Sequence, residues 1–165
     1  MTPPLRAGLI AAVLALVLDQ ATKLWLLHVL DIARLGAVRV TPFFDLVLAW
    51  NTGISYGWFQ NDSAIGAAIL LAFKVVAVIV LAVWMTRTRG RLAKVALGLI
   101  IGGAIGNAID RVVYGAVVDF ALFHIQVGGT TYSWYVFNLA DVAIVAGVIA
   151  LLYDSFFGAP AAKVP

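Results

Sequence analysis

Two aspartates in the second half of the chain have the residue type and the setting for acid–base hydrolysis. Asp119 stands in the run VVDF, and Asp141 ends the run NLAD. Two carboxyl groups in a poorly solvated site do not ionise together easily, so one pKa rises and the pair shares a proton. One carboxylate then acts as base on a water while the other acts as acid. Spacing leaves an alternative open, in which Asp141 caps a helix and Asp119 is a loop carboxylate.

Other hydrolytic sites have little support in the residue types. The chain has no cysteine, which excludes disulfides, a thiol nucleophile and cysteine-ligated metal. His28 and His124 lie far apart and form no HExxH pair, so we expect no metal and no cofactor. Residues 53–57 match GxSxG around Ser55, but that motif acts on a strand–turn–helix of an α/β sheet with a downstream histidine. We therefore do not assign serine catalysis.

Polar residues at helical spacing could support the two aspartates. Asp19 and Lys23 are four residues apart, which places them on one face of a helix. Asn107, Asp110 and Arg111 share a face of another helix for the same reason. A purely structural ion pair and a purely structural polar clamp are the alternatives that this spacing leaves open.

Small residues stand beside both polar groups. Gly98, Gly102 and Gly106 repeat every four residues, a spacing that lets a second helix approach closely, so we expect them to pack. Asn51 and Gly53 end a strand-like run, where the sequence alone favours a turn with unusual backbone angles.

The elements that position these residues are membrane helices. Apolar residues make up 64% of the 165 residues and charged residues 12%, more apolar surface than a soluble domain of this length can bury. A helix needs about 20 apolar residues to cross the hydrocarbon core. We predict an α-helical integral membrane protein, one membrane-embedded domain over residues 1–165, with four transmembrane helices. They cover residues 7–30, 64–85, 92–113 and 136–157.

Basic residues predict the orientation. Six of them fall at the two termini and in the link between the second and third helices, against two in the opposite loops, and such an excess marks the cytoplasmic side. Both termini are therefore expected in the cytoplasm. The six are Arg6, Arg87, Arg89, Arg91, Lys94 and Lys163; the two are Arg34 and Arg39.

The loops on the opposite side read as β structure. Residues 36–50 form a strand-like run broken at Pro42, and residues 117–136 read as two strands around Gly128 and Gly129. We expect a small extracytoplasmic β element on the membrane surface, anchored by interfacial aromatic residues. These are Trp50, Trp58, Trp134 and Tyr135.

Five short runs occur in one order along the chain, and together they resemble the lipoprotein signal peptidase family, also called signal peptidase II. The runs are DQATK at 19–23, NTGISYG at 51–57, GGAIGNAIDR at 102–111, VVDF at 117–120 and FNLAD at 137–141. The resemblance implies a four-helix aspartic endopeptidase of the bacterial cytoplasmic membrane. Such enzymes remove the signal peptide from diacylglyceryl-modified prolipoproteins, just before the lipidated cysteine.

The resemblance also implies roles for individual residues. Asp119 and Asp141 correspond to the family's catalytic pair, near the extracytoplasmic face. The supporting positions, with Gly53 added from the same run as Asn51, are Asp19, Lys23, Asn51, Gly53, Asn107, Asp110, Arg111, Asn138 and Ala140. The implied partners are lipid-modified prolipoproteins and membrane lipid. We expect no nucleic-acid partner and a monomer.

The alternative from another class is a small proton-coupled transporter that uses the same aspartates. A transporter would place acids at the membrane midplane with access from both sides, whereas these acids gather toward one side. Lys74 is the one charge within the second predicted helix, too deep to reach the surface easily, so we expect it to face a partner inside the bundle.

Overall fold

The computed structural model describes residues 3–52 and 64–157, except for the side chains of residues 64–71, 73 and 74. Pairs of helices alternate with pairs of strands, and a last helix follows, in a mostly helical chain that carries one four-stranded sheet. The elements are α1 (Pro3–His28), α2 (Ile32–Leu35), β1 (Val38–Thr41), β2 (Phe44–Asn51), α3 (Ala64–Arg87), α4 (Arg91–Tyr114), β3 (Val117–Val127), β4 (Thr130–Ser133) and α5 (Leu139–Phe157).

Helix α4 lies at the centre of the bundle and packs against α1, α3 and α5. Its glycines let α1 approach to backbone contact. A Cβ atom added at Gly98 would overlap the carbonyl oxygen of Gly8, and one added at Gly102 would overlap the carbonyl oxygen of Ala12. The predicted packing role of the glycine repeat is confirmed, because any side chain there would force the two helices apart.

The opposite side of α4 is equally close to α5. A Cβ atom at Gly103 would stand 2.5 Å from the carbonyl oxygen of Ala140. From the other helix, a Cβ atom at Gly147 would stand 2.6 Å from the carbonyl oxygen of Ala96. Helices α1 and α5 therefore both lie close to α4, as in packing through small residues. The polar side chains on the three helices are consequently within reach of one another.

The small β element predicted from the loops is present as an antiparallel sheet with strand order β1-β2-β3-β4. The first predicted run is a hairpin that turns at Pro42 and Phe43, and the second is a hairpin that turns at Gly128 and Gly129. Both turn glycines have positive φ, 58° and 83°, a region that suits glycine in a two-residue hairpin turn. Strands β2 and β3 pair across the middle and join the two hairpins.

A cluster of apolar side chains attaches the sheet to the end of α1. Leu26 and Ile32 pack with Phe120 and Ala121, and all four are almost completely buried. The chain after β4 then returns to the sheet, where Phe137 forms a bridge with Ala121 immediately before α5 begins. The sheet and the start of α5 are thus fixed to each other by main-chain hydrogen bonds.

Among the described residues, three helices are long and apolar enough to cross a membrane: Pro3–His28, Arg91–Tyr114 and Leu139–Phe157. Helix α3 adds the shorter apolar stretch Val75–Arg87. The last helix begins at Leu139, three residues later than the predicted boundary, because Asn138 caps it. The side chain of Lys74, whose partner we predicted inside the bundle, lies outside the described residues.

Adding one methyl group to the α1–α4 contact should destabilise the bundle. We expect Gly98→Ala to lower the free energy of unfolding by about 1–3 kcal/mol, since the new Cβ meets backbone that cannot rotate away. Thermal unfolding in detergent measures this change. Gly90→Ala is the matched control at the start of the same helix, where an added Cβ finds its nearest neighbour at 3.5 Å. Equal losses in both variants would contradict the close-packing role.

Candidate active site

Lys23 is the centre of a buried polar network between α1 and α4. Its side chain is 2% exposed, and its ammonium nitrogen lies 2.8 Å from Asp19 Oδ2 and 2.7 Å from Asp110 Oδ2. It also donates to Asn107 Oδ1 at 3.0 Å. An ammonium group has three N–H donors, and these three acceptors use all of them. The ion pair between Asp19 and Lys23, one of the alternatives that their spacing left open, is present, and the tertiary structure adds the carboxylate of Asp110.

Asp19 connects this network to the start of α5. Its second oxygen, Oδ1, accepts a hydrogen bond of 2.9 Å from the backbone N–H of Ala140. That N–H belongs to the first turn of the helix, where it has no partner within the helix and where negative charge is favoured. A carboxylate on α1 therefore fixes the end of α5 that carries Asp141.

Gly106 makes room for this arrangement. A Cβ atom at Gly106 would stand 2.6 Å from Asp19 Oδ2. The third glycine of the repeat thus differs in purpose from Gly98 and Gly102, because it accommodates a carboxylate where the other two accommodate backbone.

Asp110 connects the same network to the start of β3. Besides the bond to Lys23, its Oδ2 accepts the backbone N–H of Val118 at 3.1 Å, one residue before Asp119. Its Oδ1 accepts a hydrogen bond of 2.8 Å from the side-chain amide of Gln20. Sequence reasoning missed Gln20; its signal was its place between Asp19 and Lys23 in the run DQATK.

Asn138 and Asp141 form a reciprocal cap at the start of α5. The backbone N–H of Asp141 donates to Asn138 Oδ1 at 2.9 Å, and the backbone N–H of Asn138 donates to Asp141 Oδ2 at 3.2 Å. This is the capping-box pattern, with asparagine as the cap and aspartate at the third helical position. Asp141 therefore does cap the start of α5, as the alternative considered from the sequence proposed. This capping does not prevent the carboxyl from taking part in acid–base chemistry.

The amide of Asn107 has one possible orientation. Lys23 is only a donor, so Asn107 must turn its oxygen toward the ammonium group. Its NH₂ group then points to Asp141 Oδ1, to which it donates at 2.9 Å. The charge on α1 therefore determines which atom of Asn107 meets Asp141.

Asp119 is 3% exposed and receives two amide donors. Asn138 Nδ2 donates to its Oδ1 at 2.6 Å, and Asn51 Nδ2 donates to its Oδ2 at 3.0 Å. Asn51 reaches it from β2 because it pairs with Val117, so that Asn51 and Asp119 are diagonal neighbours on one face of the sheet. Both carboxyl groups of the predicted pair are thus hydrogen-bonded to a single residue, Asn138.

Burial raises the pKa of the Asp119 carboxyl, and the neighbouring charge of Asp141 raises it further. The hydrogen bonds from Asn51 and Asn138 and the charge of Lys23 act in the opposite direction, but the pKa remains above its ordinary value. This direction is expected of a carboxyl that is buried beside a second acidic side chain.

Arg111 completes the positive side of the site. Its guanidinium donates to the carbonyl oxygen of Asn107 at 3.2 Å and is electrostatically attracted to Asp119, Asp110 and Asp141. The guanidinium of Arg111 is half-buried and always charged. It therefore offsets part of the negative charge of the three aspartates.

A second polar group lies farther along the sheet, and sequence reasoning missed it. His124 Nε2 lies 3.0 Å from Asp45 Oδ2, and Arg39 Nε donates to Asp45 Oδ1 at 3.2 Å, which links the first three strands. Some burial raises the pKa of Asp45, but its hydrogen bonds and charge interactions with Arg39 and His124 hold that pKa below its ordinary value. This carboxyl is a structural anion, unlike Asp119.

The structure brings together nearly all of the predicted site. Asp119 and Asp141 meet at Asn138, surrounded by the supporting residues Asp19, Lys23, Asn51, Asn107, Asp110, Arg111 and Ala140. Gly53, Ser55 and the rest of the GxSxG match lie outside the described residues. Within residues 3–52 and 64–157, no three histidine or acidic side chains gather as a metal ligand set.

Comparison with known proteins identifies one family over most of the chain. The family described as Signal peptidase (SPase) II matches residues 11–157. A lipoprotein signal peptidase of Nitrobacter hamburgensis is 75% identical over 98% of this chain and 99% of its own, and one of Rhodopseudomonas palustris (strain TIE-1) is 67% identical over the same shares. A bacterial membrane enzyme solved by the in meso method at 1.9 Å resolution aligns with a TM-score of 0.74 and 26% identity, over 92% of this chain and 94% of that one.

Removing one acid from the network should destabilise the protein. Asp110 accepts hydrogen bonds from Gln20, Lys23 and Val118 on its two oxygens, whereas an amide has a single acceptor oxygen. We therefore expect Asp110→Asn to lower the free energy of unfolding by about 1–3 kcal/mol. Thermal unfolding in detergent measures it, with Asp154→Asn at the far end of α5 as the control. An unchanged midpoint in Asp110→Asn would argue against a supporting role.

Proposed function

Because the chain belongs to the signal peptidase II family, and is therefore a membrane-bound peptidase, we propose that it matures bacterial lipoproteins. The substrate of this proposal is a prolipoprotein that carries a diacylglyceryl group on a cysteine. The enzyme cuts the signal peptide just before that cysteine and uses Asp119 and Asp141 to activate water.

The observation that carries the proposal is the arrangement around Asn138. One oxygen of Asp119 and one oxygen of Asp141 lie 2.6 Å and 3.2 Å from nitrogen atoms of this single residue. The two carboxyl groups therefore contact the same residue, and the charge of Asp141 raises the pKa of Asp119. Such coupling favours a single proton on the pair, which is the resting state that water activation by two aspartates requires.

The surroundings suggest different tasks for the two acids. Asp141 stands in the first turn of α5, where backbone N–H groups favour a carboxylate, so we assign it as the base. Asp119 is the more buried acid, so we assign it as the group that holds the proton. Asp141 takes a proton from water as the water oxygen attacks the peptide carbonyl carbon, and Asp119 donates its proton to the carbonyl oxygen. Collapse of the tetrahedral intermediate breaks the C–N bond, with the proton on Asp141 passing to the leaving amine and Asp119 recovering its own.

The membrane arrangement forms part of the proposal. We infer four spans in one domain, with α3 as the remaining span, both termini in the cytoplasm of a bacterium, and the active site near the outer leaflet of the inner membrane. Asp19 lies toward the C-terminal end of α1 and Asp110 toward that of α4, while Asp141 starts α5. All three helix ends are on one side, which fits a lipid-anchored substrate entering sideways better than a transport path through the midplane.

The decisive experiment is cleavage of a synthetic substrate. Detergent-purified protein is incubated with a diacylglyceryl-modified prolipoprotein, and mass spectrometry identifies the cut bond. We expect a new N-terminus at the lipidated cysteine, and no cut in the same polypeptide without the lipid. Cleavage elsewhere, or equal cleavage of both forms, would remove the proposed specificity.

Replacing either acid by its amide should stop the reaction. We expect Asp119→Asn and Asp141→Asn each to reduce turnover to below a few per cent, because neither amide can exchange a proton with water or the leaving group. Unchanged membrane insertion and a cooperative thermal transition verify that the variants fold. Ser55→Ala is the control and should cleave normally. An inactive serine variant beside active aspartate variants would restore the serine mechanism.

The pH dependence of cleavage should follow the proton on Asp119. An ordinary aspartate loses its proton near pH 3.9, and the raised pKa keeps Asp119 protonated at higher pH. Activity should therefore persist above that value and fall as the pH passes the raised pKa of Asp119. The measurement is kcat/KM against pH.

A matched variant tests which group sets the alkaline limit. The hydrogen bond from Asn51 lowers the pKa of Asp119, so its removal in Asn51→Leu should move the alkaline limit to higher pH. The raised pKa of Asp119 also affects stability. The free energy of unfolding should decline as the pH rises from the unfolded-state pKa of Asp119 to its higher folded-state pKa. A shift of the alkaline limit to lower pH would contradict the assignment.

A further inference from the structure

We propose that Gln20 is a positioning residue for the hydrolysis, acting on Asp119 through Asp110 and the backbone of Val118. This inference rests on the proposed function, since it takes Asp119 as one of the catalytic acids. Gln20 touches neither Asp119 nor Asp141 in the described contacts, so its effect must pass through the residues it holds.

The first step is the hydrogen-bonding capacity of Lys23. Its three N–H groups are occupied by Asp19 Oδ2, Asp110 Oδ2 and Asn107 Oδ1. The ammonium group therefore has no donor left for the other oxygen of Asp110. That oxygen belongs to an almost fully buried side chain, where a missing hydrogen bond costs more than in water.

Gln20 supplies the missing donor. Its Nε2 donates to Asp110 Oδ1 at 2.8 Å and to the carbonyl oxygen of Gly106 at 3.1 Å. The same nitrogen lies 3.3 Å from Asp19 Oδ2. One neutral amide on α1 thus contacts both carboxylates of the network and the backbone of α4. It adds no charge to the network of Lys23, Asp19 and Asp110, which already holds one cation and two anions.

The second step is the contact between Asp110 and β3, the strand that carries Asp119. With Oδ1 held by Gln20, Oδ2 of Asp110 faces both Lys23 and the backbone N–H of Val118. Val118 precedes Asp119 directly. A rotation of the Asp110 carboxylate would therefore shift the start of β3 and, with it, the position of Asp119. Misplacement of a reacting group by about 1 Å can cost a hundredfold in rate, which makes such an indirect contact matter.

Substitution by leucine removes the amide at similar size. We expect Gln20→Leu to lower kcat for the lipidated substrate by about tenfold per folded molecule, with KM unchanged, since the residue contacts no substrate. The fraction folded is measured by thermal unfolding at the assay temperature. Thr22→Val is the matched control on the same helix, because the Thr22 hydroxyl is exposed and donates to the carbonyl oxygen of Leu18 in its own helix. This variant should keep wild-type kcat.

Substitution by glutamate keeps the shape but changes the donor into an acceptor. A carboxylate at this position would face Asp110, Asp19 and the Gly106 carbonyl with no hydrogen to give, so Gln20→Glu should be impaired at neutral pH. At acidic pH the introduced carboxyl is protonated and donates again. The ratio of Gln20→Glu to wild-type kcat should therefore rise as the pH falls, whereas the ratio for Gln20→Leu should stay flat.

The outcomes separate this inference from the proposed function. Wild-type kcat and a flat pH ratio in both Gln20 variants, while Asp119→Asn is inactive, would overturn the positioning role alone. Lower thermal midpoints with unchanged kcat per folded molecule would also overturn it, by reducing Gln20 to a structural residue. Activity in Asp119→Asn would overturn the proposed mechanism itself, whatever Gln20 does.

Discussion

The structure depends on the requirement that the Lys23 ammonium be fully hydrogen-bonded where water has little access. A charge buried without partners costs several kcal/mol or more, and one held by opposite charges and additional hydrogen bonds is tolerated. Each of its three partners has a second task. Asp19 holds the first turn of α5, Asp110 holds the strand before Asp119, and Asn107 presents its amide to Asp141. Neutralising one cation therefore fixes both proposed catalytic acids.

Close helix packing makes this neutralisation possible. Lys23 is on α1, while Asp110 and Asn107 are on α4, so the helix axes must be near enough for direct contact. The glycines of α4 provide that separation, with Gly98 and Gly102 against backbone and Gly106 against the Asp19 carboxylate. Packing of small residues and pairing of charges therefore depend on each other. In hydrocarbon the hydrophobic effect does not drive helices together, so close packing and polar contacts must hold them.

The two acids come from different kinds of element, and their environments differ accordingly. Asp141 lies at a helix N-terminus and receives one backbone donor and one side-chain amide. Asp119 lies on a buried strand and receives two side-chain amides. Asn138 contacts both, since it caps α5 directly after the chain has paired with β3 through Phe137. The residue that caps α5 thereby supports both carboxyl groups. The same hydrogen bonds serve the helix terminus and the proposed catalytic pair.

The sequence by itself determined what local pattern and composition control. Its apolar content predicted membrane helices, and the four-residue spacing placed Asp19 and Lys23 on one face of a helix. The glycine repeat predicted close packing, and Gly128 and Gly129 predicted a turn between two strands. Only the tertiary structure decided what depends on distant partners. The saturation of Lys23, the orientation of the Asn107 amide, the place of Gln20 and the raised pKa of Asp119 all arise between residues on separate elements. No spacing within one helix specifies which donor will meet which oxygen, because hydrogen bonding and desolvation are set by atoms that the fold brings together.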